Sequence, residues 1–523
     1  MKILFFFFAV FSTQVFAQNW HQSHTGGELK WSLNEFQFRS FKQPLSPLQG
    51  SLFRDINLKG IELTKAAGQP QVPFHSFIVA GEIEEVDFKL EEAEAFNGIQ
   101  ASPAPTMPCR CSRDQIKWEA KKPSLLHTRG YDIQPLGDFR GIKLSRVIVT
   151  PFLSTPQGLV AHRSLSLNLK GAKIVDDFQA LWENSQTGRH LIIARKNYFE
   201  ALRPLIERRQ EQGTEILTIE YRGQNFYELK SEIAELYQNI PFDFALIIGD
   251  ENAIPSEYVR TAADPSTPSD LKYFTMGGVY DQLPDVAYGR MVVENTQQLS
   301  RQIQKIIAYE DQSYRNDSGL NQILSIASNE GSNPTDFDYA RQMVAPLQNQ
   351  LGFRPQYFFQ GEARARASDI LQALTSGAQW LNYIGHGVGD SWPSITGEAL
   401  SIDRFDELSS EGVKPIVIDV ACQNGRLRFD RRIGVSLMNQ FDDEGPTGAV
   451  AYYGGSVDIT WHPPAVMAVR INEVVAQRRA RTIGEALLLG QLKLVETYDD
   501  LPSALENLVW YHLQGDPAME LDL

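Results

Sequence analysis

The chain has 523 residues, of which 42% are hydrophobic and 22% charged, with 38 glycines and 27 prolines; that balance excludes a disordered, collagen-like or coiled-coil protein and leaves room for two or three globular domains. Asp and Glu (64) outnumber Lys and Arg (49) for a formal charge of −15, which argues against a nucleic-acid or anionic-membrane binder. Three cysteines, Cys109, Cys111 and Cys422, are too few for a disulfide-stapled fold, and any single bridge leaves an odd thiol.

Met1-Lys2 precedes an apolar run from Ile3 to Val10 that continues to Phe16 and ends in Val15-Phe16-Ala17. A charged start, a short apolar stretch and a small-residue end read as a secretory signal peptide over residues 1–17. The run is too short for a permanent membrane anchor. The expectation is an exported protein, periplasmic or extracellular, with no membrane anchor and no nucleic-acid partner.

Residues 18–187 read as a β-rich N-terminal domain. Short apolar or alternating stretches (Phe77–Ala80, Val86–Leu90, Ile142–Val149, Leu165–Leu169) are broken by Pro, Gly and Ser, and Ala101–Pro108 is a proline-rich loop among them. Cys109-Arg110-Cys111 follows that loop. Its two cysteines are expected not to bridge each other without strain, and no partner stands at zinc-ligand spacing.

From Gly188 the pattern changes. Strands at Leu191–Ala194, Ile216–Glu220, Phe244–Ile248, Ile323–Ala327, Tyr357–Phe359, Trp380–Ile384 and Pro415–Val420 alternate with helices near Tyr198–Gln212, Tyr227–Gln238, Gln297–Glu310, Asp336–Gln350 and Ala367–Thr375. Alternation at this spacing predicts an α/β fold, a parallel sheet with helices on both faces, in two subdomains over residues 188–322 and 323–523.

Such sheets carry their chemistry beyond the carboxyl ends of the strands. Asn382–Gly387 runs from a strand straight into Gly385-His386-Gly387. Ile416–Gly425 delivers Cys422 to the same edge, 36 residues after His386, and Ile326–Gly331 ends a third strand in Glu330. An imidazole beside a thiol favours the thiolate nucleophile and can protonate a leaving amine. Backbone N–H groups at Cys422 and Gly387 are candidates for an oxyanion hole, and Glu330 for orienting the imidazole. Taken singly, a buried cysteine is an ordinary small apolar residue and an acid in a loop is commonplace. Together at one sheet edge they predict nucleophilic catalysis.

The motifs NYIGHGVGDSW (382–392) and DVACQNG (419–425) resemble the gingipain family of secreted cysteine peptidases, within the caspase-like clan. So do Phe244–Asp250 with Ile254-Pro255, Tyr288-Gly289-Arg290, Ile326–Gly331, Pro446-Thr447-Gly448 and Gly515-Asp516-Pro517, in the same order over about residues 188–523. The resemblance implies a caspase-like fold with Cys422 as nucleophile, His386 as base and acid, and Glu330 as the orienting acid. It implies that Asp336, or as second choice Asp338, lies at the base of a pocket for a basic residue and that Trp461 lines it. Against this, an Asp that begins a helix is often only its cap, and a tryptophan is often only packing. The activity implied is cleavage of proteins or peptides after Arg, with Lys kept open, by a zymogen whose residues 18–187 act as an inhibitory propeptide removed near Lys173–Arg189.

Two further readings stay open: a related transpeptidase that passes the new carboxyl end to an amine, and a relative that binds peptide without cutting it. The chain stops six residues after Gly515-Asp516-Pro517, so the family's immunoglobulin-like and sorting domains are expected to be missing. Arg426, Arg428, Arg431 and Arg432 follow the candidate nucleophile where the family is more apolar, either to meet acidic substrate residues or as a solvated loop. No cofactor is needed for the chemistry. The structural calcium that the resemblance implies is allowed by Asp250, Glu251 and Asp270, although no EF-hand spacing occurs.

Overall fold

The computed structural model describes residues 20–523 apart from 26, 34–35, 41–51, 59–60, 111–115, 176–177, 279–280, 312, 314–316 and 332–333. The expected leader over residues 1–17 and Cys111 lie outside the described residues. No helix among those described is long and apolar enough to cross a membrane.

The N-terminal part is built on a seven-stranded antiparallel sheet. Its long central strands, His75–Asn97 and Gly158–Val175, pair over most of their length, and Trp20–Thr25, Glu28–Leu33, Ile142–Val149, Tyr131–Phe139 and Phe152–Thr155 complete it. The alternating stretches of the sequence fall inside these strands. Side chains alternate across a strand, so one face collects Leu29, Trp31, Phe77, Val79, Val147, Leu165 and Leu167 into a buried layer.

The larger sheet has ten strands in the order Glu215–Glu220, Arg189–Ala194, Phe244–Ile248, Ala287–Met291, Tyr511–Gln514, Ala451–Gly455, Ile416–Val420, Trp380–Ile384, Gln322–Ala327, Arg354–Phe359. Its central strands are apolar on both faces because helices cover both, as expected for α/β architecture. The sheet is not uniformly parallel, which corrects the sequence reading. Each half is internally parallel, but Tyr511–Gln514 pairs antiparallel with Ala451–Gly455, so the halves run in opposite directions. The cause is a return through three consecutive helices, His462–Ala476, Ile483–Thr497 and Leu501–Trp510, that sends the last strand back into the sheet centre.

Three neighbouring strands set up the candidate site. Ala327 lies opposite Ile384, and Ile384 opposite Val420, so Gln322–Ala327, Trp380–Ile384 and Ile416–Val420 end in register at one edge.

The N-terminal part grips the larger sheet's helices at several points. Arg146, fully buried, donates to the carbonyls of Val495, Tyr498 and Asp499 where the helix Ile483–Thr497 ends. These are the carbonyls that a helix C-terminus leaves unpaired. Arg140 lies over the Trp182 ring at 4.7 Å and donates to Asp243 Oδ1 at 2.8 Å. Asp499 accepts the backbone N–H groups of Lys65 and Ala66, both at 2.8 Å. Removing Arg146 takes the guanidinium from two buried carbonyls and one part-buried one. Arg146→Ala is therefore expected to lower stability by about 3 kcal/mol in urea unfolding, whereas a change below about 0.5 kcal/mol would mean that water replaces the guanidinium at no cost.

Candidate active site

Beyond the three strand ends the chain turns inward. Gly387 brings the two main loops together: a Cβ there would collide with the Cys422 carbonyl oxygen and lie 2.9 Å from Asn424 Nδ2. Only glycine permits this approach. His386 is fixed from its backbone, since Tyr383 Oη donates to its carbonyl at 2.6 Å and its N–H donates to Ser394 Oγ at 2.8 Å.

The His386 ring has partners on both nitrogens. Nε2 lies 2.8 Å from Glu330 Oε2, and Nδ1 meets the carbonyl oxygen of Arg110. Both partners are acceptors, so donation to both needs a proton on each nitrogen. Cys422 is fully buried at the same edge, but its thiol faces Ile459: the Ile459 N–H donates to Sγ at 3.3 Å, and Sγ lies 4.0 Å from the Ile459 carbonyl. The Arg110 carbonyl thus occupies the His386 nitrogen that Glu330 leaves free. Burial pushes the Cys422 thiol up to about 12, an effect that the Ile459 N–H only partly offsets.

The adjoining pocket holds Arg110. Its guanidinium makes a two-pronged ion pair with Asp336 (NH1 to Oδ2 2.9 Å, NH2 to Oδ1 3.0 Å), with both side chains fully buried. Nε and NH2 also donate to the Trp461 carbonyl at 3.2 and 3.0 Å, and the guanidinium lies 4.5 Å from the Trp461 ring. The Arg110 N–H donates to the Ile459 carbonyl at 3.0 Å, as one strand does to another. Burial works against the guanidinium charge, but Asp336 outweighs it and holds Arg110 above the ordinary arginine value. Asp336 further accepts Ser328 Oγ at 2.7 Å.

The structure thus brings Cys422, His386, Glu330 and Gly387 to one edge, with Asp336 and Trp461 in the pocket beside them. Asp338 goes elsewhere. It is exposed and closes a capping box, accepting the N–H and hydroxyl of Thr335 at 3.1 and 2.7 Å.

Sequence reasoning missed Arg110, which was set aside with its cysteines, and missed the support beneath the loops. Asp419, three residues before Cys422 and fully buried, accepts on a single oxygen from Trp392 Nε1 (2.8 Å), Asn424 Nδ2 (3.0 Å) and Tyr452 Oη. Asn424 Oδ1 in turn accepts the Gly389 N–H at 3.0 Å, tying the cysteine loop to the histidine loop. An acid inside the otherwise apolar run Ile416–Val420 was the available signal. The other Asp419 oxygen has no hydrogen-bond partner among the described residues.

Three further readings can be set beside the structure. Cys109 is disulfide-bonded, Cys111 lies outside the described residues, and Cys422 is a free, buried thiol. Asp250, Glu251 and Asp270 do not make a calcium cage. Arg290 takes both Asp270 oxygens (2.7 and 2.8 Å) and the carbonyls of Gly249, Asp250 and Ile254, Glu251 faces Arg426, and Asp250 accepts the N–H groups of Ala253 and the distant Phe429. No group of three or more His, Cys, Asp or Glu able to hold a metal ion occurs among the described residues. Of the arginine cluster, Arg426, Arg431 and Arg432 pair with the protein's own Glu251, Asp403 and Asp430, which favours the solvated-loop reading.

The family model described as Peptidase family C25 matches residues 183–522. Gingipain R1 of Porphyromonas gingivalis is 26% identical over 352 residues, covering 64% of this chain and 34% of that protein. Lys-gingipain W83 of the same organism is 20% identical over 505 residues, covering 84% and 28%. The chain thus spans about a third of the length of these curated relatives. The crystal structure of the Arg-specific cysteine proteinase gingipain R aligns with a TM-score of 0.57 at 24% identity, over 64% of this chain and 78% of that one. A complex of Porphyromonas gingivalis RgpB pro- and mature domains aligns with 0.56 at 23%, over 63% and 79%. At these identities the likeness is one of fold.

Two predictions follow from the buried groups. Burial raises the Asp419 carboxyl to about 6. Its folded value therefore lies above its unfolded one, and the stability it contributes is full below about pH 4 and lost as pH rises through 6. Wild type is expected to lose about 2 kcal/mol relative to Asp419→Asn between pH 4 and pH 6.5 in urea unfolding; parallel curves would contradict a raised carboxyl. The Cys422 thiol of the full chain is expected to alkylate roughly a thousandfold more slowly at pH 8 than an exposed thiol, with a rate still rising beyond pH 10. A plateau below pH 9 would contradict the burial argument.

Proposed function

The chain belongs to peptidase family C25, and on that premise we propose that it is a cysteine endopeptidase, held latent by its own residues 18–187, that hydrolyses peptide bonds after arginine. The observation that carries the reading is Arg110. Its side chain fills the Asp336–Trp461 pocket, its N–H bonds a strand-like carbonyl and its own carbonyl reaches His386, which is how the residue before a scissile bond would lie.

In the proposed reaction the Cys422 sulfur attacks the carbonyl carbon of such a residue, and the thiol proton passes to His386 Nδ1. The N–H groups of Gly387 and Cys422 meet the developing oxyanion. The C–N bond breaks, the leaving amine takes the proton from His386, and water then hydrolyses the thioester and restores the thiol. Glu330 holds Nε2–H throughout, so that Nδ1 faces the substrate.

The pocket supports Arg over Lys. Asp336 and the Trp461 carbonyl together receive donors from all three guanidinium nitrogens, a planar fork that a lysine ammonium, with one nitrogen, cannot match. In the latent chain a neutral thiol turned toward Ile459 accounts for Arg110 lying in place uncut. Residues 188–322 and 323–523 act as the two α/β halves of the catalytic part. The 1–17 leader carries the chain out of the cytoplasm, and proteins or peptides are the substrates.

Fluorogenic peptides with Arg, Lys or neutral P1 residues, assayed after limited proteolysis of the full chain, test the reading. Arg turnover is expected, abolished by Cys422→Ala. Asp336→Asn is expected to cut kcat/KM for the Arg peptide about a hundredfold while sparing the neutral one. Equal cleavage of all three peptides by wild type would overturn the arginine assignment.

A further inference from the structure

Glu330 is anchored from the specificity pocket. Its side chain is 39% exposed where it meets His386, and a long carboxylate in partial contact with water is held mainly by its backbone. Both backbone groups of Glu330 are tied to the pocket: its N–H donates to Ser328 Oγ at 3.2 Å, and its carbonyl accepts the Asp336 N–H at 3.0 Å. Ser328 sends its own hydroxyl proton to Asp336 Oδ2 at 2.7 Å, the same oxygen that takes Arg110 NH1 at 2.9 Å.

Ser328 is buried, at 1% exposure, and its backbone is tied as well, since its N–H donates to the Ile384 carbonyl on the strand that leads into His386. One oxygen thus connects the carboxylate that reads the P1 side chain with the peptide that carries the imidazole's partner. With a guanidinium present, Asp336 is neutralised and both its oxygens are fixed. Without one, Asp336 loses both guanidinium donors and keeps the Ser328 hydroxyl as its remaining side-chain donor among the described residues, a deficit that water entry or carboxylate rotation makes good. Either relief moves the acceptor to which Ser328 donates, and with it the lone pairs that Ser328 offers to Glu330.

We propose that Ser328 is a positioning residue that couples occupancy of the arginine pocket to the Glu330–His386 pair, so that a guanidinium in the pocket speeds the chemical step as well as binding the substrate. The inference rests on the proposed arginine reading of the pocket. It adds that a P1 arginine is partly an activator, and that its effect is transmitted by a hydroxyl that touches neither the scissile bond nor the guanidinium.

The test separates the side chain from the bond it normally accompanies. The full chain and its variants, all converted by the same limited proteolysis, are assayed on an Arg-P1 peptide and on an Ala-P1 peptide with and without ethylguanidinium. In wild type, ethylguanidinium is expected to raise kcat on the Ala-P1 peptide at least fivefold. Ser328→Ala should abolish that stimulation and lower kcat on the Arg-P1 peptide at least tenfold more than on the Ala-P1 peptide, with KM for the Arg peptide changed less than threefold. Ser328→Thr, which keeps the hydroxyl, should restore most of the stimulation. No stimulation in wild type, or equal loss of kcat on both peptides in Ser328→Ala, would overturn the coupling, as would a loss confined to KM. The wild-type measurement stands even if the alanine variant fails to fold. Absence of any Arg preference in wild type would instead overturn the pocket assignment itself.

Discussion

The buried pairing of Arg110 with Asp336 is the interaction on which the rest of this molecule turns. A carboxylate and a guanidinium, both removed from water, are stable only because each oxygen of one meets a nitrogen of the other and because the Ser328 hydroxyl and the Trp461 carbonyl complete the set. Such a pair adds little to net stability compared with apolar packing, yet separating it is expensive because each partner is left charged and dry. The N-terminal part is thereby committed to one register on the larger sheet. Arg140, Arg146 and the Lys65–Ala66 turn hold the same orientation from other sides, each by matching a charge or a helix end that the larger sheet's part leaves unsatisfied.

The sheet supplies what the loops cannot. Three parallel strands ending in register put three short loops within reach of one another, and Gly387 and Asp419 turn that proximity into a fixed geometry. The glycine removes the atom that would keep the loops apart, and the aspartate gathers three donors that lead into both of them. A buried charge placed this way is more credible as a device for specifying one arrangement than as a source of stability.

Much of this was legible in the sequence, and the boundary of legibility has physical causes. The strands of the larger sheet could be read because runs such as Phe244–Ile248 are apolar without alternation, which a doubly covered sheet demands. His386 and Cys422 stood out because glycine, histidine and cysteine interrupt those runs at the carboxyl end. What local patterning cannot carry is the direction of a distant return, so the reversal at Tyr511–Gln514 was invisible. The same holds for partners far apart in the chain: Arg110 and Asp336 are 226 residues apart, and nothing near either one announces the other. Asp336 and Asp338 could not be told apart because both begin a helix, and only the packing shows one turned inward and the other capping. The acids at 250–270 suggested a cation until Arg290, brought in on a neighbouring strand, filled the space.

The junction between the two parts has a consequence for how fast the molecule can be set free. Between residues 173 and 189 the basic side chains are Lys173 and Arg189, and each lies in a strand: Lys173 pairs with Ala80, and Arg189 pairs with Glu215 while its guanidinium bonds Glu215 and the Pro241 carbonyl. A peptidase needs its substrate extended and unpaired, so for an enzyme that prefers basic residues both bonds are protected by hydrogen-bonded neighbours. On the proposed reading, release then waits on the opening of a strand end, and where reclosing is slower than cleavage it is paced by that opening rather than by encounters between molecules. A freed copy faces the same closed strands in every other copy. In that regime the population converts as a steady first-order decay instead of an explosive cascade, unless an enzyme of different preference cuts among the non-basic residues between them.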